Sequence, residues 1–289
     1  MLSRYQIRLK VFHCLYATTI SDNVKKEWET CFNSYLELYD FYLKILIYIK
    51  KRAELEIHLG LNKKKPNHAD LNPNKKFVNN LVLQKIEKEL NNELYQEEHL
   101  KLLSKNIFSK IKTKEYFKNY MDLEEQNIEH DSKVIEKILK KDVLSNPKVI
   151  DFLEEKSIYW NDDITSAYNL FTSKKYDIIN TRKTIKFKDV SIFKNKIDEQ
   201  FAKKLFSKTI ELKEKANKTI FNLVDNWDIE RISNSDLCLL QLAITEMMEF
   251  KEIPKKVTIN EYINISKEYC SSKSYEFING ILDSYIKKL

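Results

Sequence analysis

Glycine is nearly missing from this sequence. Gly60 and Gly280 are the only two in 289 residues, and four prolines, Pro66, Pro73, Pro147 and Pro254, accompany them. An all-β fold needs many more such residues at its turns, so the shortage points to helices. Dinucleotide and P-loop sites are excluded as well, because closely spaced glycines are what let a backbone approach phosphates. Cysteine is sparse: Cys14, Cys31, Cys238 and Cys270 lie far apart and form no Cys-x-x-Cys, which argues against a zinc ribbon or a redox pair. They read as small buried hydrophobes in a reducing cytosol. None of the five histidines follows a Glu by three residues or belongs to a His-Glu-x-x-His, so the familiar helical metal spacings are absent and no metal or other cofactor is expected. Long apolar runs are lacking too. Tyr35 to Ile49 is interrupted by Glu37, Asp40 and Lys44, which would be costly in a bilayer, and Met1 to Ala17 spreads Arg4, Arg8 and Lys10 through its length, unlike a signal peptide. A soluble, cytoplasmic protein without a membrane span is predicted.

What the chain has in quantity is lysine, asparagine and isoleucine, with a formal charge of +7. That charge favours a polyanionic partner through counterion release, although AT-rich coding yields the same composition without any function. Apolar residues recur at helical spacing almost throughout. Ile7, Val11, Cys14 and Leu15 share one face of a first helix near Arg4 to Thr18. A long second helix is predicted from Val24 to His58, with Gly60 as its C-terminal cap. The segment Asn62 to Asn74, with Lys63–Lys65 and two prolines, predicts an exposed loop. Further helices are expected over Phe77–Asn91, Glu97–Tyr120 and Lys133–Lys141, then from Asn146-Pro147 and from Asn161-Asp162-Asp163. Lys174 to Phe193 loses the period and reads as a loop, briefly extended near Thr184–Lys188. A long helix from Lys196 to Val224 follows. Ser233 with Asp236 opens the next, Thr258-x-x-Glu261 has the form of a capping box, and the last begins near Ser274. The acidic run Glu124 to Asp131 has no regular metal spacing and reads as a solvated loop.

Several linked stretches resemble the NusB family: Trp227 to Asp236, Ile253 to Glu261, Ile265-Ser-Lys-Glu-Tyr269 and Phe277-Ile-Asn-Gly-Ile-Leu-Asp283 resemble its C-terminal half, and Arg4-Tyr-Gln-Ile-Arg8 with Leu15-Tyr16-Ala17 its arginine-rich first helix. Asp70 to Asn74, Phe77 to Asn80 and Glu155 to Asp163 resemble the long form of Bacteroidetes-type relatives. The resemblance implies an all-α fold: a NusB-like helical bundle of two packed subdomains with an enlarged helical middle region. One homologous chain is expected, with a basic helix over 1–23, the middle region over 24–194 and the C-terminal bundle over 195–289. The implied function is transcription antitermination without enzymatic chemistry. The partners implied are a boxA-type single-stranded RNA element of rRNA operons, ribosomal protein NusE and the transcription elongation complex, with homodimerisation left open.

Candidate residues follow from both readings. A helix aligns Arg4 and Arg8 at i, i+4, where they could fork onto phosphates or remain an ordinary solvated pair; their terminal position matches the family's arm. Tyr5 and Gln6 stand where compact members carry further arginines. Tyr16 could stack on an unpaired base, worth roughly 1 to 3 kcal/mol, or belong to the core. Lys273 and Phe277 correspond to family positions near RNA, at a helix start whose free N–H groups suit a phosphate. Asp236 corresponds to an acidic residue on the NusE-facing helix, or serves simply as a first-turn charge. Gly280 in mid-helix costs about 1 kcal/mol against Ala, so close helix packing, or else the approach of a ligand, should offset it. Two alternatives stay open: a helical protein-interaction module that does not bind RNA, and an accessory of an RNA-modifying enzyme.

Overall fold

The computed structural model describes residues 1–21, 23–90, 97–160, 162–180, 191–224 and 232–288. The fold is all-α. Its helices are α1 (Arg4–Ala17), α2 (Val24–Leu61), α3 (His68–Leu71), α4 (Leu81–Leu90), α5 (Glu98–Ile111), α6 (Glu115–Met121) and α7 (Ile128–Ile138), the last continued by a π turn, Leu139–Val143. Then come α8 (Pro147–Lys156), a 3-10 turn Ile158–Trp160, α9 (Ile164–Asn180), α10 (Lys196–Glu211), α11 (Lys213–Phe221), α12 (Asn234–Glu249), α13 (Lys255–Tyr269) and α14 (Ser274–Lys287). No β-strand occurs among the described residues; an isolated bridge joins Leu2 and Phe193. No described helix is long and apolar enough to cross a membrane.

The chain forms two compact units, and the division falls within α2. One comprises Met1 and Ser34–Ile192; the other combines Leu2–Asn33 with Phe193–Leu289. In the first, the core is the middle of α2, where Tyr42, Leu43, Ile45, Leu46, Ile47 and Ile49 are buried on every side of the helix. Each such side chain contributes roughly 1.5 to 3 kcal/mol of transfer free energy. In the second unit the same central position belongs to α12, which α1, α10, α11, α13 and α14 all contact.

Several boundaries differ from those the sequence predicts. α2 continues through Gly60 to Leu61, and a Cβ on Gly60 would come within 3.1 Å of Asp70 Oδ1, so this glycine makes room for a side chain and does not end the helix. Asp70 gathers the following loop, accepting from Lys63 Nζ at 2.6 Å and from the Asn67 N–H at 3.0 Å. Asn80 delays the start of α4, its Oδ1 accepting from the N–H groups of Val82 and Leu83, both at 3.0 Å. The spans Glu97–Tyr120 and Lys196–Val224 are each two helices, broken at Lys112–Lys114 and at Leu212. Asp131 is buried in the first turn of α7 instead of lying in a solvated loop, because Tyr120 Oη (2.7 Å) and the Leu81 N–H (2.7 Å) donate to it. Pro254 starts α13 early, so Thr258 lies inside the helix and does not cap it. The extended stretch near Thr184–Lys188 and the Trp227 motif lie outside the described residues.

Candidate functional site

The candidate residues all belong to the unit built from both ends of the sequence. Ser3 begins α1 with a reciprocal cap: its Oγ accepts from the Gln6 N–H at 3.2 Å while its own N–H donates to Gln6 Oε1 at 2.8 Å. The cap fixes the helix phase and therefore the direction of the next arginines. Arg4 and Arg8 do share a side of α1, with their guanidiniums 4.2 and 5.2 Å from the Phe201 ring centroid. That side faces α10 and α12. Arg4 stays partly open, its side chain 39 % exposed, with Nε donating to Asp198 Oδ1 at 2.6 Å.

Arg8 turns inward. Its side chain is only 3 % exposed, and it grips Glu246 of α12 with two parallel bonds, Nε to Oε2 at 2.8 Å and Nη2 to Oε1 at 2.7 Å. Its Nη1 also donates to the Arg4 carbonyl at 3.2 Å and lies 3.6 Å from Glu261. The buried Glu246 accepts two further bonds from α13, from Thr258 Oγ1 at 2.8 Å and Tyr262 Oη at 3.0 Å. One carboxylate thus holds three helices. Burial alone would lower the Arg8 pKa, but the bonds to Glu246 and its charge more than reverse this, so the guanidinium is held cationic. Burial, reinforced by the Glu246 charge, pushes the Tyr262 phenol well up, which keeps it a donor.

Tyr16, 39 % exposed, is an edge of an aromatic row: its ring centroid lies 6.3 Å from Phe12, and Phe12 lies 6.1 Å from Tyr269 of α13. His13 meets Tyr269 at 5.1 Å. From Tyr269 the chain turns through Cys270 into α14, where the exposed Lys273 takes the N-cap position without a side-chain cap. The first-turn N–H groups of α14 are therefore not claimed by a capping side chain. Phe277 is half-buried in that turn. Asp236 faces inward: Ser274 Oγ donates to its Oδ2 at 3.0 Å, and its own N–H donates to the N-cap Ser233 Oγ at 3.1 Å. It ties the start of α12 to the start of α14. Burial also pushes the adjacent Cys270 thiol up to about 12.

Close packing does not explain Gly280. It is exposed, and a Cβ built on it meets nothing within 4 Å. Nor did sequence reasoning single out Glu246, Asp198 or Phe201, the partners that aim the two arginines. Glu246 did leave a trace, as a carboxylate inside the nearly unbroken apolar run from Leu237 to Met247. No cluster able to hold a metal ion exists among the described residues.

A model of the NusB family matches residues 163–287, which include Asp236, Lys273 and Phe277 but not α1. The chain is 40 % identical over 89 residues to the transcription antitermination protein NusB of Salinibacter ruber, covering 31 % of this chain and 56 % of that protein. It is 39 % identical over 92 residues to the Clostridium botulinum protein of the same name, covering 32 % of this chain and 69 % of that protein. To the Finegoldia magna protein of that name it is 33 % identical over 121 residues, 42 % of this chain and 85 % of that protein. No solved structure matches it.

Proposed function

The chain belongs to the NusB family, and from that premise we propose that it is a non-enzymatic cytoplasmic transcription antitermination factor. In this reading it captures a boxA-type single-stranded RNA element of rRNA operons together with ribosomal protein NusE, and delivers it to the elongation complex. The observation that carries the reading is the pairing of reachable groups on the family-like unit: an exposed Tyr16 for stacking, and Lys273 at an uncapped helix start for a phosphate. Phe277 offers a half-open ring in the same turn. Arg4 is the arm's reachable cation, whereas Arg8 acts through Glu246 by fixing the pose of α1. Asp236 supports NusE binding by holding the starts of α12 and α14 together.

The test is binding of fluorescent boxA RNA and a scrambled control, with and without NusE, to the wild type and to Arg4→Ala, Tyr16→Ala, Lys273→Ala and Phe277→Ala. Sequence-preferring binding that NusE strengthens, that the substitutions weaken and that falls steeply with salt is expected. A second reading, a helical module that binds NusE but not RNA, is favoured by the pairing of Arg4 and Arg8 with carboxylates of this chain. Retained NusE binding with equal weak binding of both RNAs would select it.

A further inference from the structure

Within the Ser34–Ile192 unit, and outside the residues that match the family model, α2 and α5 enclose an open cleft of about 340 Å³. Its rim is cationic on both sides, with Arg52 from α2 and Lys101 and Lys105 from α5, while the Lys51 ammonium is buried in the α2 wall; no carboxylate is among its lining residues. Its walls are apolar: Leu55 is 46 % exposed and Leu102 is 67 % exposed. The exposed Leu59 continues the α2 wall one turn further along. Lys101 pairs with Glu98 (2.5 Å) along its own helix, a bond of the exposed kind that contributes little and that a better acceptor can replace, whereas the half-buried Arg52 is paired with Glu56 at 3.2 Å.

Bulky leucines held in water beside three cations suit a ligand that is both apolar and anionic. A nucleic acid meets only half of that description, because stacking needs an open aromatic face and the lining's one aromatic, Tyr48, is buried. We propose that this cleft docks a segment of a partner protein carrying leucine-like side chains flanked by carboxylates, with the apolar groups between Leu55 and Leu102 and the carboxylates on the lysine and arginine rim. The site is independent of the RNA reading and gives the enlarged middle region a binding role of its own.

The probe is a fluorescein-labelled peptide of three Glu-Leu-Leu-Glu repeats, titrated into the full chain and followed by anisotropy. Saturable binding is expected, weakened about tenfold or more by Leu102→Asp and separately by the pair Lys101→Glu and Lys105→Glu. All three positions are exposed, so the far-UV circular dichroism should stay that of the wild type. The same peptide with Ser for Leu should not bind, and one with Gln for Glu should bind more weakly. Absence of binding, or binding indifferent to both sets of substitutions, overturns the proposal. Binding of oligouridylate that the lysine substitutions abolish, with none of the peptide, overturns it in favour of a nucleic-acid surface.

Discussion

Arg8→Met removes the cation from the centre of the α1–α12–α13 junction while keeping most of the apolar stem. Glu246 is then left fully buried with only the Thr258 and Tyr262 hydroxyls to stabilise its charge. Breaking a buried, well-formed ion pair from one side costs about 3 to 5 kcal/mol, because the surviving charge stays desolvated. Removing both charges in Arg8→Met with Glu246→Leu cancels most of that loss, since a buried pair contributes little beyond a hydrophobic replacement. The two hydroxyls then lack their acceptor, at about 1 to 3 kcal/mol each if they find no other. The double variant should therefore lose less than the sum of the losses of Arg8→Met and Glu246→Leu made separately, and stay below the wild type. Urea unfolding followed by circular dichroism and by the fluorescence of Trp28, which packs on Phe32 and Phe206 in the same unit, in a background with Trp160→Phe and Trp227→Phe, reads all of these differences. The reasoning is refuted if Arg8→Met costs less than about 1 kcal/mol, the size of an exposed pair, or if the two single losses simply add in the double variant.

The two glycines should respond differently to alanine. Gly280→Ala should stabilise by about 1 kcal/mol, raising Tm by about 2 to 4 °C, because the new methyl meets open space; an unchanged or lower Tm in a thermal melt would contradict this. Gly60→Ala should fall short of that gain, since its methyl would press on an Asp70 carboxylate already held by Lys63 and Asn67. The bond from Lys63, with that from Asn67, lowers the Asp70 pKa, so the clasp's contribution is complete above the ordinary carboxylate range and is lost as pH falls through the lowered value. A carboxyl NMR titration with an ordinary or raised midpoint would remove the clasp. Cys238 is buried and burial pushes its thiol up to about 12, so it should not react appreciably with Ellman's reagent at neutral pH until denaturant is added, and rapid labelling of Cys238 in the native protein, located by mass spectrometry, would contradict its burial.

Local signals were legible in the sequence. Asn146-Pro147 and Ser233 start α8 and α12 where they predict, because a cap depends on residues a turn away. The breaks at Lys112–Lys114 and Leu212 were not, since apolar spacing resumes on the far side of each. Thr258 has the form of a capping box, but Pro254 had already begun the helix, and the hydroxyl serves Glu246 instead. The site divides the same way. The place of Lys273 at a helix start follows from linear motifs, whereas the direction of Arg8 depends on Glu246, 238 residues later, and no local pattern carries that information. Gly280 stood out by composition, but only the open space around it shows that packing is not the reason.

The Arg8–Glu246 junction also sets an order for assembly during synthesis. At about 5 to 20 residues per second, the 238 positions between the two residues take on the order of ten seconds to a minute to translate. Throughout that interval the cation of α1 and the apolar face around Ile7 and Val11 lack their partners, and only near its end, once Ile192 has been made, is the Ser34–Ile192 segment complete. The unit that carries the candidate residues is therefore the last to form, and a ribosome stalled between Ile192 and Glu246 would hold a complete Ser34–Ile192 segment and an N-terminal helix still waiting for its counter-charge.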